Sequence, residues 1–162
     1  MFIKNSLFTI SPSTKEDIIS LRNLYNNAEV MKYIPNSSQI WEVESVAEKI
    51  SKFQKDSIGI HIVKTLNNNF LGEASIFNYP KLNCYEIGFI IDQKFWGKGF
   101  GTLICSELID YCINHLHAAK VFARMYSNNV ASQKVCIKSG MKLFNPSEED
   151  LLYDRLTFSF SK

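Results

Sequence analysis

Three glycines, Gly97, Gly99 and Gly101, fall in five positions inside the stretch FWGKGFGT (95–102). Glycine loses the most backbone freedom on folding, so this density implies a sharp turn or a close approach by another group. The stretch follows an apolar, strand-like run and opens a helical one at Thr102. In that setting the N–H groups of a helix's first turn point outward and carry partial positive charge, the chemistry that binds phosphate. Lys98 adds a cation. Neither familiar phosphate signature fits. The loop GxxxxGK[ST] fails because Lys98 is followed by Gly99. The dinucleotide pattern GxGxxG fails because the spacing is GxGxG and the next strand ends in ARMYSNN rather than in an acid. A plain tight turn and an anion cradle both remain open for these residues.

A second segment, NNVASQKVCIKSGMK (128–142), bears on the choice. Asn129, Ser132 and Cys136 are spaced i, i+3, i+7 and share one helix face. That face is either solvated or turned to a ligand, and Asn129 stands at the strand-to-helix junction, where its amide could reach one. Glu86 is a lone acid inside the apolar strand CYEIGFIID, which closes on Asp92. His61 alternates with apolar residues in IGIHIVK and reads as a sheet-face histidine.

The elements that must position these residues follow from periodicity. LFTIS (7–11) is a strand, and Thr14 caps a helix with Asp17 in the capping-box position. Ile18, Leu21, Tyr25 and Ala28 mark that helix, and Val43, Val46, Ala47, Ile50 and Phe53 a second. IGIHIVKTL and FLGEASIFN form a hairpin across Asn67–Asn69. CYEIGFIID is a strand, TLICSELIDYCINHL a helix and KVFARMY a strand; a helix ending at Gly140 follows, then two strands. The order β, α, α, β, β, β, α, β, α, β, β is a mixed sheet with helices rather than a strictly alternating fold.

Composition narrows the function. The 162 residues suffice for one domain with a core and show no internal boundary. A net charge of +2 without a run of five like charges argues against a nucleic-acid partner. The apolar stretches are too short to span a bilayer, and the first residues lack a signal-peptide pattern, so the expected location is the cytoplasm. The four cysteines (Cys84, Cys105, Cys112, Cys136) show no CxxC and no spacing to His61, His115 or His117, so no metal site is expected.

WGKGFG (96–101) and NVASQKVCIKSGM (129–141), in this order, resemble the GCN5-related N-acetyltransferase (GNAT) superfamily. That family carries [QR]xxGx[GA] between its fourth strand and the following helix, then an Asn-led helix ending in Gly-Phe. EDIISLRNLYNNAEVMKYI, YEIGFIIDQKFWGKGFG and YDRLTFSF extend the likeness over nearly the whole chain, closest to the branch of ribosomal-protein N-terminal acetyltransferases (RimJ/RimL type). Trp96 replaces the opening Gln/Arg, Met141 the final Phe, and Cys136 the tyrosine that many relatives use as general acid. The resemblance implies a single mixed α/β (α+β) domain over 1–162: a central twisted, mostly antiparallel sheet of about seven strands flanked by about four helices. It also implies acetyl-CoA as cosubstrate and no metal. The backbone from Gly97 to Thr102, with Trp96, Lys98 and Phe100 in the same loop, would take the pyrophosphate. Phe89, Ile90 and Ile91 would pair with the pantetheine arm, with Asn129, Ser132 and Cys136 on the cofactor side.

Acetyl transfer to an amine needs a base for the ammonium proton, a donor for the oxyanion and an acid for the thiolate. Glu86 is the first candidate base, against a structural glutamate; His61 and a water chain are weaker ones. Ser132 and Cys136 compete as acid, unless the thiolate leaves unaided. Tyr126 and Tyr153 read as wall residues and Asp154 as structural. Glu148, Glu149 and Asp150 are either a lure for a cationic acceptor or, preferably, a solvated loop. The expected activity is acetylation of a primary amine, on a protein N-terminus or a small molecule, by a monomer or homodimer. The alternative is a non-catalytic acyl-CoA-binding module.

Overall fold

The computed structural model describes residues 3–35, 37–53, 58–79 and 82–161. Its strands are β1 (Ile3–Lys4), β2 (Phe8–Pro12), β3 (Gly59–Thr65), β4 (Phe70–Tyr79), β5 (Cys84–Ile91), β6 (Lys120–Tyr126), β7 (Lys142–Phe144) and β8 (Arg155–Phe160). Its α-helices are α1 (Ile18–Tyr25), α2 (Ala28–Met31), α3 (Val43–Phe53), α4 (Phe100–Asp110), α5 (Val130–Lys138) and α6 (Glu148–Leu152). The eight strands form one sheet in the order β1-β2-β3-β4-β5-β6-β8-β7. The β5–β6 pair is parallel, and β1–β2, β2–β3, β6–β8 and β7–β8 are antiparallel. This is a mixed α/β fold, with one more strand and two more helices than the periodicity predicts. The additions are the two-residue β1 and the short α2 and α6.

The contacts divide the chain into two compact units, Met1–Ser75 with Phe89–Lys98, and Ile76–Gly88 with Gly99–Lys162. In the first, α1 places Leu21, Leu24 and Tyr25 on one face, and they pack with Val30, Met31, Val46 and Ile62. The expected box at Thr14 is present: Asp17 accepts from the Thr14 N–H at 2.9 Å. The Asn turn forms as well, with Asn68 left-handed at φ 62°.

His61 lies on β3 with no exposed surface. Its Nδ1–H donates to the Gly59 carbonyl at 3.1 Å, and Nε2 has no partner among the described residues. Burial lowers its pKa from 6.5 to about 4. A base with a lowered folded pKa is stabilising above its unfolded pKa, and that contribution is lost as pH falls through the window. Stability should therefore drop by about 3 kcal/mol between pH 6.5 and 4. Urea unfolding across this window checks it. His61→Gln, which does not titrate, should remove most of the slope; an unchanged slope assigns the acid sensitivity to other groups.

In the second unit, α4 buries Ile104, Cys105, Leu108 and Ile109 and runs on through a π-helical turn (Tyr111–His115) that buries Cys112 and Ile113. Burial alone pushes the Cys112 thiol up to about 12, which marks it as a packing residue. Gly140 ends α5 as expected. Its φ is 82°, its N–H reaches the Ile137 carbonyl and the Met141 N–H the Cys136 carbonyl, which is a Schellman motif.

The acidic stretch 148–150 is a helix, α6, and not a solvated loop. Asp150 is buried and bonds the Ser147 N–H (3.0 Å) and hydroxyl (2.8 Å) and the Thr157 hydroxyl (2.9 Å). Burial works to raise its pKa, but the Ser147 and Thr157 hydrogen bonds and the Arg155 charge outweigh it and hold the carboxyl below the usual range. Arg155 also meets Glu149 at 2.8 Å. Among the described residues no helix is long and apolar enough to cross a membrane.

Candidate active site

The glycine stretch is built from the end of β5 onward. Asp92 leaves the strand with its N–H on the Leu71 carbonyl (2.9 Å) and its carboxylate on the Lys94 N–H (3.1 Å), which starts a 3₁₀ turn at Gln93–Phe95. Trp96 donates its indole N–H to the Ile91 carbonyl at 2.8 Å, fastening the loop to the strand it leaves. Gly97 and Gly99 follow with φ of 72° and 82°. A Cβ at either would meet nothing within 4 Å. The glycines therefore serve the left-handed backbone, and the space beside them is open. The Lys98 ammonium reaches the Lys94 carbonyl at 2.9 Å.

Gly99 is the N-cap of α4, and no side chain caps that helix. The caps of α2, α5 and α6 are filled by Asn27, Asn129 and Ser147. No N-cap side chain competes for the first turn of α4, and the helix dipole favours an anion there. The thiol and serine positions expected beside it are on α5. Asn129 is buried and spends its amide oxygen on the Ser132 N–H at 3.2 Å, so its part in any ligand contact is left to the amide nitrogen. Ser132 is half-buried in the first turn. Cys136 is buried; its hydrogen bond to Cys105, together with burial, raises its pKa above the ordinary thiol value. That environment makes it a poor proton donor. Ser139, at the end of α5, donates to the Thr102 carbonyl at 3.3 Å and ties α5 to the start of α4.

Glu86 is half-buried on β5 and accepts three hydrogen bonds. Arg124 Nε donates to Oε1 at 3.1 Å, an Arg124 terminal nitrogen to Oε2 at 2.6 Å, and the Tyr79 hydroxyl to Oε2 at 2.9 Å. The same Arg124 nitrogen reaches the Tyr79 oxygen at 2.8 Å. Hydrogen bonding to Glu86 raises the Arg124 guanidinium further, and burial followed by the Glu86 charge raises the Tyr79 phenol. Arg124 and Tyr79 are the functional-site residues that sequence reasoning misses. The signal for Arg124 is its place as a cation inside the apolar alternation KVFARMY, flanked by Ala123 and Met125, which an acid in a neighbouring strand should match.

Phe89, Ile90 and Ile91 continue β5 past the parallel ladder with β6, which covers only Cys84–Glu86. Gly72 of β4 lies against them: a Cβ there would stand 2.1 Å from the Ile90 carbonyl oxygen. His61, the weaker candidate base, is sealed in the first unit and faces no opening. Among the described residues no group of His, Cys, Asp and Glu is arranged to hold a metal ion.

A chain with this sheet order and an uncapped helix behind two left-handed glycines matches known proteins along most of its length. Residues 8–142 match the profile of the acetyltransferase (GNAT) domain, and the chain belongs to that family. YnaD, an uncharacterized N-acetyltransferase of Bacillus subtilis, is 21% identical over 118 residues, 72% of this chain and 68% of YnaD. An acetyltransferase of the GNAT family from Bacillus anthracis superposes with a TM-score of 0.86 at 20% identity, covering 99% of this chain and 98% of that one. RimL, the ribosomal L7/L12 alpha-N-protein acetyltransferase, solved with coenzyme A, superposes at 0.84 with 14% identity over 99% and 98%. Spermidine N-acetyltransferase from Vibrio cholerae, with CoA and spermine, gives 0.80 at 20% identity over 97% and 96%.

Proposed function

We propose that this protein is an acetyl-CoA-dependent N-acetyltransferase acting on a primary amine, either the α-amine of a protein N-terminus or a small molecule. The observation that carries the reading is the uncapped start of α4 behind Gly97 and Gly99, in a chain of this family. The residues fit the cosubstrate. The backbone from Gly97 to Thr102 holds the pyrophosphate, with Lys98 as a nearby cation, and Phe89–Ile91 offers backbone groups to the pantetheine. Bound there, acetyl-CoA supplies the activated acyl group. Glu86 takes the proton of the acceptor ammonium, directly or through one water, with Arg124 and Tyr79 holding its carboxylate in place. Ser132 is the hydroxyl available as a proton donor, since Cys136 is sealed against Cys105. RimL acts on a protein α-amine and the Vibrio enzyme on spermidine, so both acceptor classes occur among proteins of this fold.

Thermal unfolding with acetyl-CoA, CoA and ATP tests the cofactor assignment. A ligand at 100 times its dissociation constant adds about 2.7 kcal/mol. Acetyl-CoA and CoA should shift the transition and ATP should not. Gly99→Val should weaken the shift, because a β-branched residue resists positive φ and its side chain enters the open space beside the loop. No shift with acetyl-CoA at millimolar concentration sinks the assignment. The three hydrogen bonds that tie Glu86 to Arg124 and Tyr79 favour a second reading, a non-catalytic acyl-CoA-binding module, which binding without turnover on any amine would establish.

A further inference from the structure

In the first unit, Tyr25, Trp41 and Glu73 surround one point with two aromatic rings and a carboxylate. The ring centroids lie 4.9 Å apart, tilted at 51°. Glu73 is buried on β4 and its Oε2 accepts a hydrogen bond from the Tyr25 hydroxyl. Burial, and then the Glu73 charge, raise the Tyr25 phenol, so it stays protonated as the donor. Trp41 is held from behind: the Asn26 amide accepts from its backbone N–H at 2.9 Å and donates to its carbonyl at 2.8 Å. The point itself is filled by the chain's own primary ammonium. Lys49 Nζ, from α3, stands 3.9 Å from the Tyr25 centroid, 5.2 Å from the Trp41 centroid and 3.6 Å from Glu73 Oε2. Two π faces and a carboxylate make a receptor for R–NH₃⁺.

Three features set this cluster apart from a core ion pair. At 3.6 Å, Lys49 is beyond the roughly 2.7–2.9 Å of a charge-assisted hydrogen bond, so the field holds it and no bond does. The Trp41 indole Nε1 is buried and has no partner among the described residues, an orphan donor beside the cage's own ring. The Lys49 side chain is 22% exposed, so it is not sealed in the core. Ile90, in the strand segment given above to the pantetheine, packs against the same core cluster as Tyr25 and Trp41.

We propose that Tyr25, Trp41 and Glu73 form the subsite for a primary ammonium of the acceptor, and that Lys49 is a placeholder which the acceptor displaces. The orphan Trp41 N–H fits a ligand that carries an oxygen acceptor close to its ammonium, as an aminoacyl group does and a polyamine does not. The proposal rests on the N-acetyltransferase reading, but its test does not need turnover.

The chain has two tryptophans, so an ¹H,¹⁵N spectrum shows two indole signals, and Trp41→Leu identifies that of Trp41. L-Alaninamide and 1,4-diaminobutane are titrated without acetyl-CoA, with propionamide as the neutral control. The Trp41 signal should move saturably with the amines and not with propionamide, and alaninamide should bind more tightly. Glu73→Gln should weaken alaninamide by about tenfold or more. Lys49→Met should tighten it by roughly tenfold, because the site no longer has to be vacated. If Glu73→Gln fails to fold, calorimetry on Trp41→Leu, at the rim of the cage, carries the test and should show the same weakening. A Trp41 signal unmoved by both amines in the wild type overturns the proposal, even if Lys49→Met binds them. Wild-type affinity in both Glu73→Gln and Trp41→Leu overturns it too. Tighter binding of diaminobutane overturns the role given to Trp41 Nε1. Amine binding without an acetyl-CoA thermal shift supports the cage and removes the acetyltransferase reading; the shift without amine binding does the reverse.

Discussion

Gly72→Ala should destabilise the protein by about 3 kcal/mol, near the upper end of what overpacking a core costs. The added Cβ would stand 2.1 Å from the Ile90 carbonyl oxygen and 3.0 Å from the Ile91 Cα. Both are main-chain atoms, so no rotamer change relieves the contact. Relief requires β4 and β5 to part, which strains the Asp92 N–H to Leu71 carbonyl bond now at 2.9 Å. Gly72 is also buried, so the displaced strand has nowhere to move without disturbing its neighbours. The control is Gly97→Ala, the same chemical change where a Cβ meets open space; only the positive φ opposes it, at about 1 kcal/mol. Urea midpoints for the two variants and the wild type decide the matter. A loss below about 0.5 kcal/mol at Gly72 would mean that the strands have slack. Because Ile90 and Ile91 lie in the segment given to the pantetheine, the folded fraction of Gly72→Ala should also lose acetyl-CoA affinity.

The parts of this molecule legible in the sequence are those set by chemistry local to a few residues. Asn68 and Gly140 adopt left-handed backbone where their types allow it, and Asp17 bonds Thr14 as the capping pattern requires. The same pattern recurs as Ser147 with Asp150, so α6 was equally readable; a run of three acids looks solvated unless the serine three residues before Asp150 is weighed. Gly72 likewise carried its signal as an isolated glycine within an apolar strand. What the sequence hides is non-local. Glu86 stands out as a lone acid, but its partners lie seven positions back, at Tyr79, and 38 positions on, at Arg124. The Tyr25–Trp41–Lys49–Glu73 cluster spans a helix, a loop, a second helix and a strand. Nothing in the spacing of these four residues announces that they meet, and only the packing of α1 and α3 on the sheet brings them together.

Glu86→Gln should lower kcat by about a hundredfold, the lower end of what a general base contributes. Glutamine keeps the shape and can still accept from Arg124, but it cannot take a proton from the acceptor ammonium. The arrangement around Glu86 makes the variant informative. Arg124 and Tyr79 supply three donors to the carboxylate, which leaves one lone-pair direction for the acceptor or a water. A base held this firmly does not have to find its orientation in each turnover. A purely structural Glu86 predicts something different: lower stability, through an Arg124 left without its counter-charge, and an unchanged kcat per folded molecule. Measuring both quantities separates the roles. The acetyl-CoA thermal shift should survive the substitution, since Glu86 is not among the residues given to the cosubstrate. Arg124→Lys adds a graded test: it retains the charge but loses the two-pronged grip, so kcat should fall by roughly tenfold while the pH profile changes shape. A kcat for Glu86→Gln within about twofold of the wild type ends the base assignment and returns the proton to solvent.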